Sequence, residues 1–565
     1  MKGCTPERQG SARALRVRRL LRPLCPEGMV AGAVFFAFSL TPSLLPRSYA
    51  VQGLLSGLSF AAGYGVGVAG VLLWRYLQLP RARTRVRRVL RTIAAAATAL
   101  LCLASLWHAA HWQNSIRRLL GMEELSGFQP VLLVLIGALL FVLVLGLARL
   151  FAWVWRRLSS RLGRYVPARL ARLLAAGLSV FVFWTTLNGL FYRFLLKAAD
   201  RSFQALDALI DDELPRPAGP EQTGSSASRI AWEDLGRQGR EFVARGPSAA
   251  DLSAFFGRPV TAPIRVYVGL NSADNPEARA QLALEELIRA GGFQRSLLLL
   301  VTPTGTGWVD PASQATVEYL HRGDLATVAA QYSYLSSPLA LLTQGDYGAE
   351  MARALFARIY GHWRSLPKDS RPRLFLHGLS LGSLNSDLSF DVFDVVEDPF
   401  DGALWSGPPY RHGTWRRATR ERDPGSPAWL PIFRGGSVVR FMNQTTGLRE
   451  GTGTWGNFRI AFLQYASDPI TFFDPKSAWR MPDWMREPRG PDVSPALRWF
   501  PVVTMLQLAT DMMAGTAPKG FGHEYAPLHY IDAWLAVTEP EGWTDAELQR
   551  LRALFHENEP RAGGR

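Results

Sequence analysis

The chain divides into two parts by the pattern of its apolar residues. In residues 1–200, long apolar runs alternate with arginine clusters, and from residue 201 onward short apolar runs alternate with amphipathic stretches. A helix that crosses a bilayer needs about 20 consecutive, mostly apolar residues. Runs of roughly this length predict an α-helical transmembrane bundle of about five spans, at Gly28–Leu45, Val51–Leu73, Thr92–Ala110, Pro130–Trp155 and Leu173–Leu196.

The first of these runs is the weakest, because Pro42 and Pro46 interrupt its end. An alternative for this run is a cleaved signal peptide, since Ser48-Tyr49-Ala50 resembles a small-residue cleavage site. The four later runs would anchor the chain in a membrane under either interpretation.

The second part predicts a different kind of domain. A Pro/Gly/Ser-rich stretch at 215–228 indicates a linker over 201–230, and residues 231–565 are enough for a separate core. Apolar, strand-like runs alternate with helical ones, which favours a mostly parallel sheet with helices on both faces. The strands are predicted at 264–270, 296–303, 373–378, 402–409 and 459–470, and the helices at 277–292, 324–345 and 347–364.

The charge distribution changes the interpretation of a strongly basic chain. The overall net charge is +16, but residues 1–200 hold 26 of the 63 basic and 5 of the 47 acidic residues. Nucleic-acid binders concentrate basic charge on a folded face, whereas here it lies between apolar runs, so no nucleic-acid partner is expected. The basic residues before, between and after the first four runs number 7, 1, 7, 2 and 6. This alternation predicts a cytoplasmic N-terminus at 1–27, a membrane domain at 28–200 and an extracytoplasmic C-terminal domain.

The candidate chemistry lies at the end of a predicted strand. Gly378-Leu379-Ser380-Leu381-Gly382 matches the pattern G-x-S-x-G, shortly after the apolar residues Leu374-Phe375-Leu376 and before small residues. In a strand–turn–helix context this pattern exposes a strained nucleophilic serine. We therefore predict Ser380 as the nucleophile, with a plain glycine-rich turn as the alternative.

A serine nucleophile needs a histidine base and an orienting carboxylate, which in this type of fold follow in the order Ser, acid, His. Asp468 follows the strand-like run 459–467, and His523 lies in a glycine-bounded loop near the C-terminus. These two residues are the predicted acid and base. The competing acids are Asp474 and Asp483, and the competing base is His529.

Together these segments resemble the bacterial membrane-anchored α/β-hydrolase family, which has an N-terminal multi-span region and a C-terminal hydrolase domain. The stretches that carry the resemblance are 232–247, 263–273, 377–391 and 522–534. The excess of arginine, 58 residues against 5 lysines, is typical of a GC-rich bacterial genome. The resemblance implies a Ser/Asp/His hydrolase and indicates no substrate. The apolar runs and the arginine distribution predict a multi-pass protein of the bacterial cytoplasmic (inner) membrane, with membrane lipids as partners.

An oxyanion hole needs two backbone donors aimed at the developing charge. One is expected to be the N–H of Leu381, after the nucleophile, and the other the N–H of Leu270 or Asn271, after the first core strand. The loop 304–307 is the alternative source of the second donor. The irregular stretches around 424–455 and 481–515 are expected to form cap insertions over the site.

No metal and no cofactor are expected. All three cysteines, Cys4, Cys25 and Cys102, lie in the first part, which excludes a cysteine metal site or disulfide framework in the second. The acidic residues between Asp387 and Asp401 have a spacing that would suit calcium, but a solvated face is the favoured interpretation. The sequence predicts a carboxylesterase- or lipase-like enzyme that acts on an ester, lipid or acyl substrate at the cell envelope. The alternatives are an acyltransferase and a non-catalytic binding protein on the same fold.

Overall fold

The computed structural model describes residues 24–80, 83–127, 129–186, 189, 207, 214–334, 347–448, 453–486 and 488–557. The N-terminal region is helical. Its described helices are α1 (Pro26–Ser39), α2 (Tyr49–Tyr76), α3 (Thr84–Leu119), α4 (Pro130–Leu162) and α5 (Ala168–Trp184).

Three of these helices, α2, α3 and α4, are long and apolar enough to cross a membrane, so the described residues do not support the prediction of five spans. The first predicted span, Gly28–Leu45, is a helix of only 14 residues that ends at Ser39. It rises about 21 Å, less than the hydrocarbon thickness of about 30 Å, because Pro42 and Pro46 follow. The fifth, Leu173–Leu196, lies partly outside the described residues, and α5 has 17 residues.

Glycines bring α1 and α2 into close contact. A Cβ atom on Gly63 would lie 2.6 Å from the carbonyl oxygen of Ala31, and one on Gly67 would lie 2.7 Å from Cα of Gly28. Small residues at such positions allow helix backbones to approach where lipid supplies no hydrophobic drive for association. The short helix α1 is therefore fixed against α2.

The C-terminal domain is built on a seven-stranded sheet in which every described ladder is parallel. The strands are β1 (Ile264–Val268), β2 (Leu297–Thr302), β3 (Leu325–Ala330), β4 (Arg373–Leu379), β5 (Gly402–Ser406), β6 (Val439–Met442) and β7 (Arg459–Leu463). Their spatial order is β1-β3-β2-β4-β5-β7-β6. Strands β2, β3 and β5 are buried along their whole length, because helices cover both faces of the sheet.

The helices of this domain connect the strands and flank the sheet. They are α6 (Gly236–Ala244), α7 (Ala249–Phe256), α8 (Pro276–Arg289), α9 (Pro311–Leu320), α10 (Tyr347–Ser365), α11 (Leu381–Asp387), α12 (Val392–Val395), α13 (Gly413–Arg420), α14 (Pro469–Phe472), α15 (Val503–Ala514), α16 (Pro527–Thr538) and α17 (Asp545–Glu557).

Two strands differ from the sequence-based expectation. Residues 324–345 were expected to be helical, but β3 occupies Leu325–Ala330, and residues 335–346 lie outside the described residues. Half of the residues in β3 are alanine, which is depleted in strands, and burial on both faces between β1 and β2 decides its conformation. Strand β6 lies within the predicted cap insertion 424–455, beside β7. The other predicted cap, 481–515, contains α15.

The stretch 214–230, predicted as part of a linker, packs on the C-terminal domain. Ser228 Oγ donates to Glu286 Oε1 at 2.7 Å, and the Arg229 N–H donates to Oε2 of the same carboxylate at 3.0 Å. Thr223 and Ser225 are buried.

The hydrophobic core of the C-terminal domain extends into the N-terminal region. Leu44 and Leu45, from the non-helical segment between α1 and α2, belong to the same core cluster as the strands. Ile116 and Leu120, at the end of α3, belong to it as well. The two regions therefore share one continuous core, and the ends of α1 and α3 lie against the hydrolase-like domain.

Candidate active site

Ser380 occupies a sharp turn between β4 and α11. Its backbone has φ 56° and ψ −122°, a conformation that costs energy for a residue with a Cβ atom. The Ser380 N–H donates to the Ser406 carbonyl at 3.0 Å, which ties the turn to the end of the neighbouring strand β5. This is the strand–elbow–helix geometry that G-x-S-x-G predicts.

The two glycines of the motif permit close backbone approach around this turn. A Cβ atom on Gly378 would lie 2.4 Å from the carbonyl carbon of Gly382, and one on Gly382 would lie 2.2 Å from the carbonyl oxygen of Thr302. Any larger residue would push α11 away from β2 and β4. The elbow therefore needs glycine at both positions for steric reasons.

Asp468 lies just beyond β7 and is completely buried. Its Oδ1 accepts from the Ile470 N–H at 2.8 Å. Its Oδ2 lies 2.7 Å from His523 Nδ1 and accepts from the Tyr525 hydroxyl at 2.8 Å and from Thr471 Oγ1 at 3.2 Å. These hydrogen bonds fix the position of the carboxyl group beside the imidazole, so that it can orient the histidine.

His523 faces this carboxylate and retains a partly exposed side chain, 23% accessible. Burial lowers the pKa of His523, but the charge of Asp468 and its hydrogen bond outweigh burial, and the pKa is raised overall. Because a carboxylate only accepts, the proton of the neutral imidazole lies on Nδ1. The lone pair on Nε2 is then available to a nucleophile.

Ser380 and His523 line the same cavity, which has a volume of about 490 Å³. Among the described side chains, no hydrogen bond joins the two; such bonds often shorten only when substrate is bound. The cavity wall is mostly apolar, with a few charged groups. Its other lining residues are Thr304, Trp308, Asp310, Pro311, Ala312, Leu379, Ile470, Lys519, Glu524, Tyr525, Pro527 and Phe555.

The competing acids and base lie in other surroundings. His529 Nδ1 lies 2.6 Å from the Tyr465 hydroxyl, and burial lowers the pKa of this histidine. Asp474 caps a short turn by accepting from the Lys476 N–H, and Asp483 pairs with Arg486 at the surface. Of these candidates, Asp468 is the carboxylate in contact with His523.

The structure does not bring Leu270 and Asn271 to Ser380. Strand β1 is separated from β4 by β3 and β2, the Leu270 N–H donates to Gln331 Oε1 at 3.2 Å, and Asn271 Oδ1 accepts from the Tyr334 hydroxyl. The neighbours of β4 are β5 and, on the side that faces β1, β2. The loop after β2 lines the cavity at Thr304. The alternative loop 304–307 therefore lies on the side of the sheet order that adjoins Ser380. The other expected donor, the N–H of Leu381, lies in the first turn of α11, where helical N–H groups lack intrahelical acceptors.

Asp310 is a cavity residue that the sequence analysis missed. It caps α9 by accepting from the Ala312 N–H at 2.9 Å, and burial raises its pKa to about 6. The Asp-Pro pair at a helix start was the available signal, but that signal indicates a cap and gives no hint of the cavity. Tyr525 was also missed as a partner of Asp468, although it lies two residues after His523.

The acidic stretch between Asp387 and Asp401 has partners of its own. Asp387 accepts from Thr414, Asp398 forms a two-pronged pair with Arg371, and Asp401 accepts from the Leu374 N–H. In the described part of the chain, no group of three or more potential ligands could hold a metal ion. His377, beside the elbow, lies in the core with Nδ1 2.7 Å from the Leu404 carbonyl oxygen.

Two family profiles match the chain. The profile described as an alpha/beta-hydrolase family matches residues 264–551, and the profile described as the N-terminus of that family matches residues 40–247. Neither the curated proteins nor the solved structures gave a match. The first profile spans half of the chain, and the second covers helices α2 to α6 but not α1. The chain therefore belongs to the alpha/beta-hydrolase family.

Proposed function

We propose that this protein is a membrane-anchored serine hydrolase that cleaves carboxylic esters with Ser380, His523 and Asp468. One observation carries the proposal: the strained serine at the elbow and the histidine bonded to a buried carboxylate line the same cavity. A glycine-rich turn without catalytic function would not need a backbone held at positive φ beside a histidine–carboxylate pair.

In the proposed reaction, Ser380 Oγ attacks the ester carbonyl carbon while Nε2 of His523 takes the hydroxyl proton. Asp468 stabilises the resulting imidazolium. The Leu381 N–H, with a donor from the loop 304–307, stabilises the tetrahedral oxyanion. The C–O bond to the leaving alkoxide then breaks as the imidazolium protonates it, and water resolves the acyl-enzyme by the same route.

The N-terminal region supports a membrane anchor. Many side chains on the outer faces of α2, α3 and α4 are both apolar and exposed, including Leu100, Leu103 and Leu139. Exposed apolar surface of this extent needs a lipid environment. The C-terminal domain packs on the ends near residues 40–47 and 115–120, which carry few arginines, whereas the arginine clusters lie at 75–91 and 156–172. This arrangement favours an extracytoplasmic active site.

The ester specificity can be tested on isolated membranes. Membranes that contain the wild-type protein are expected to hydrolyse p-nitrophenyl esters across a series of acyl chain lengths. The apolar wall formed by Trp308, Ile470 and Phe555 predicts that an ester with an acyl chain longer than acetyl is hydrolysed faster than the acetate ester. Membranes with Ser380→Ala at equal protein level are the control. Equal hydrolysis by both preparations would contradict the proposal.

A further inference from the structure

We infer that Leu45, held in place by Asp511, is a positioning residue for the loop that carries His523. The N-terminal region would then complete the active site as well as anchor it. This inference rests on the proposed function of His523 as the base, and on contacts across the junction between the two regions.

The junction segment at residues 41–47 is buried and non-helical. Asp511, on α15, accepts from the Leu44 N–H at 3.0 Å and from the Leu45 N–H at 3.3 Å. Its other oxygen lies 2.6 Å from Arg47 Nε, with both side chains fully buried. One turn earlier on α15, Gln507 donates to the Thr41 carbonyl at 3.0 Å. The segment therefore has a defined position relative to α15.

The Leu45 side chain reaches from this segment to both ends of the chain that joins α15 to His523. A Cβ atom on Gly515, the residue after α15, would lie 2.6 Å from Cδ1 of Leu45. A Cβ atom on Gly522, the residue before His523, would lie 3.1 Å from Cδ2 of Leu45. The absence of a Cβ atom at both positions thus lets the loop pack closely on this leucine.

Gly522 is held from a second direction by the segment after β7 that supplies the acid. Its N–H donates to Ser467 Oγ at 2.9 Å, and Ser467 directly precedes Asp468. Ser467 is itself fixed, since its hydroxyl donates to Asp492 Oδ2 at 2.5 Å. The backbone before His523 therefore has two supports, Leu45 on one side and Ser467 on the other. Removing the leucine side chain would remove one of these supports.

The test compares Leu45→Ala with the matched control Leu44→Ala in the full-length protein in detergent micelles. Leu44 is equally buried and also donates its amide to Asp511, so the two truncations should lower the melting temperature alike. Leu45→Ala is expected to lower kcat by about tenfold to a hundredfold through misplacement of the base, with KM nearly unchanged. Leu45→Met, which retains volume, should restore kcat.

Hydrogen exchange of residues 516–526 gives a second readout that needs no activity. Leu45→Ala should speed exchange in this segment more than Leu44→Ala does. Equal kcat and equal exchange in the two alanine variants would overturn the inference, even where wild-type Ser380 reacts with a fluorophosphonate. A wild-type protein without that reactivity would contradict the proposed function instead, and the exchange comparison would still decide the inference.

Discussion

Arg47 and Asp511 form a fully buried ion pair that joins the N-terminal helical region to the hydrolase domain, with Nε and Oδ1 2.6 Å apart. The two residues are 464 positions apart in the sequence. Their ion pair anchors the segment that contributes Leu44 and Leu45 to the core of the hydrolase domain. Burying two charges is unfavourable unless each is fully partnered, and removing one partner leaves an uncompensated charge in the interior.

Asp511→Ala is therefore expected to destabilise the protein by about 3–5 kcal/mol. Denaturant unfolding in detergent, monitored by tryptophan fluorescence, measures this change. Glu397→Ala is the control, because Glu397 pairs with Arg364 at the surface and such pairs contribute about 0–1 kcal/mol. Similar losses in the two variants would show that the buried pair has no special role.

His523→Ala is expected to reduce kcat by about 10⁵-fold to 10⁶-fold, because the serine loses its base. His529→Ala should have a mild effect, since that imidazole bonds to the Tyr465 hydroxyl and lies outside the catalytic contacts. Steady-state kinetics on the best p-nitrophenyl ester compares the two variants. The reverse ranking would assign the base to His529.

Asp468→Asn is expected to lower kcat by about 10³-fold to 10⁴-fold, because the wrong histidine tautomer is then favoured. The pH profile supplies a second readout. The pKa of His523 is raised by Asp468 against the effect of burial, so the acidic limb of kcat/KM should lie above the ordinary histidine value of about 6.5. Asp468→Asn removes the largest of the effects that oppose burial, so the limb should move to lower pH. A limb that stays in place would mean that Asp468 does not contact the catalytic base.

Asp310→Asn should stabilise the protein at pH 8. Burial raises the pKa of Asp310 from 3.8 to about 6, so the folded state is penalised wherever this carboxyl is ionised. The penalty is full above about pH 6, where it reaches about 3 kcal/mol, and it is lost only as the pH falls below the unfolded value of 3.8. Denaturant unfolding at pH 8 and pH 4.5 should thus show a gain at pH 8 that is about three times the gain at pH 4.5. Asp398→Asn is the opposite control, since Arg371 lowers the pKa of that carboxyl, and it should destabilise at pH 8. A gain for Asp310→Asn that is equal at both pH values would contradict the predicted ionisation.

Much of the candidate site could be predicted because its signals are local. Ser380 lies in a strand–turn–helix pattern within a few residues, Asp468 comes shortly after β7, and His523 follows it in the known order Ser, acid, His. The loop proposed to supply the second oxyanion donor could not be located in this way. Its position depends on which strand neighbours β4, and the alanine-rich strand β3 has the composition of a helix.

Contacts between distant segments could not be predicted from the sequence pattern either. The pattern indicates a single exposed charge in a short turn at Arg47, and no residue near it in the chain indicates Asp511 as a partner. The short helix α1 was expected to span a bilayer because its apolar run continues to Leu45. In the structure the last part of that run enters the core of the hydrolase domain.

The orientation of the anchor is testable with reporters. A periplasm-dependent reporter fused after residue 215 is expected to be active, and one fused after residue 160 inactive, because the arginine-rich segments flank the latter position. The enzymatic activity of each reporter fusion, divided by the amount of that fusion in the cells, measures this orientation. The reverse pattern would place the hydrolase domain in the cytoplasm.

The most direct measurement of the central claim is the site of covalent labelling by a fluorophosphonate probe. Membranes that contain the full-length protein are treated with the probe, and the modified peptide is identified by mass spectrometry. We predict a single adduct on Ser380, strongly reduced labelling in His523→Ala, and none in Ser380→Ala at the same protein level. An adduct on another serine, such as Ser383, or undiminished labelling of Ser380→Ala would contradict the assignment of Ser380 as the nucleophile.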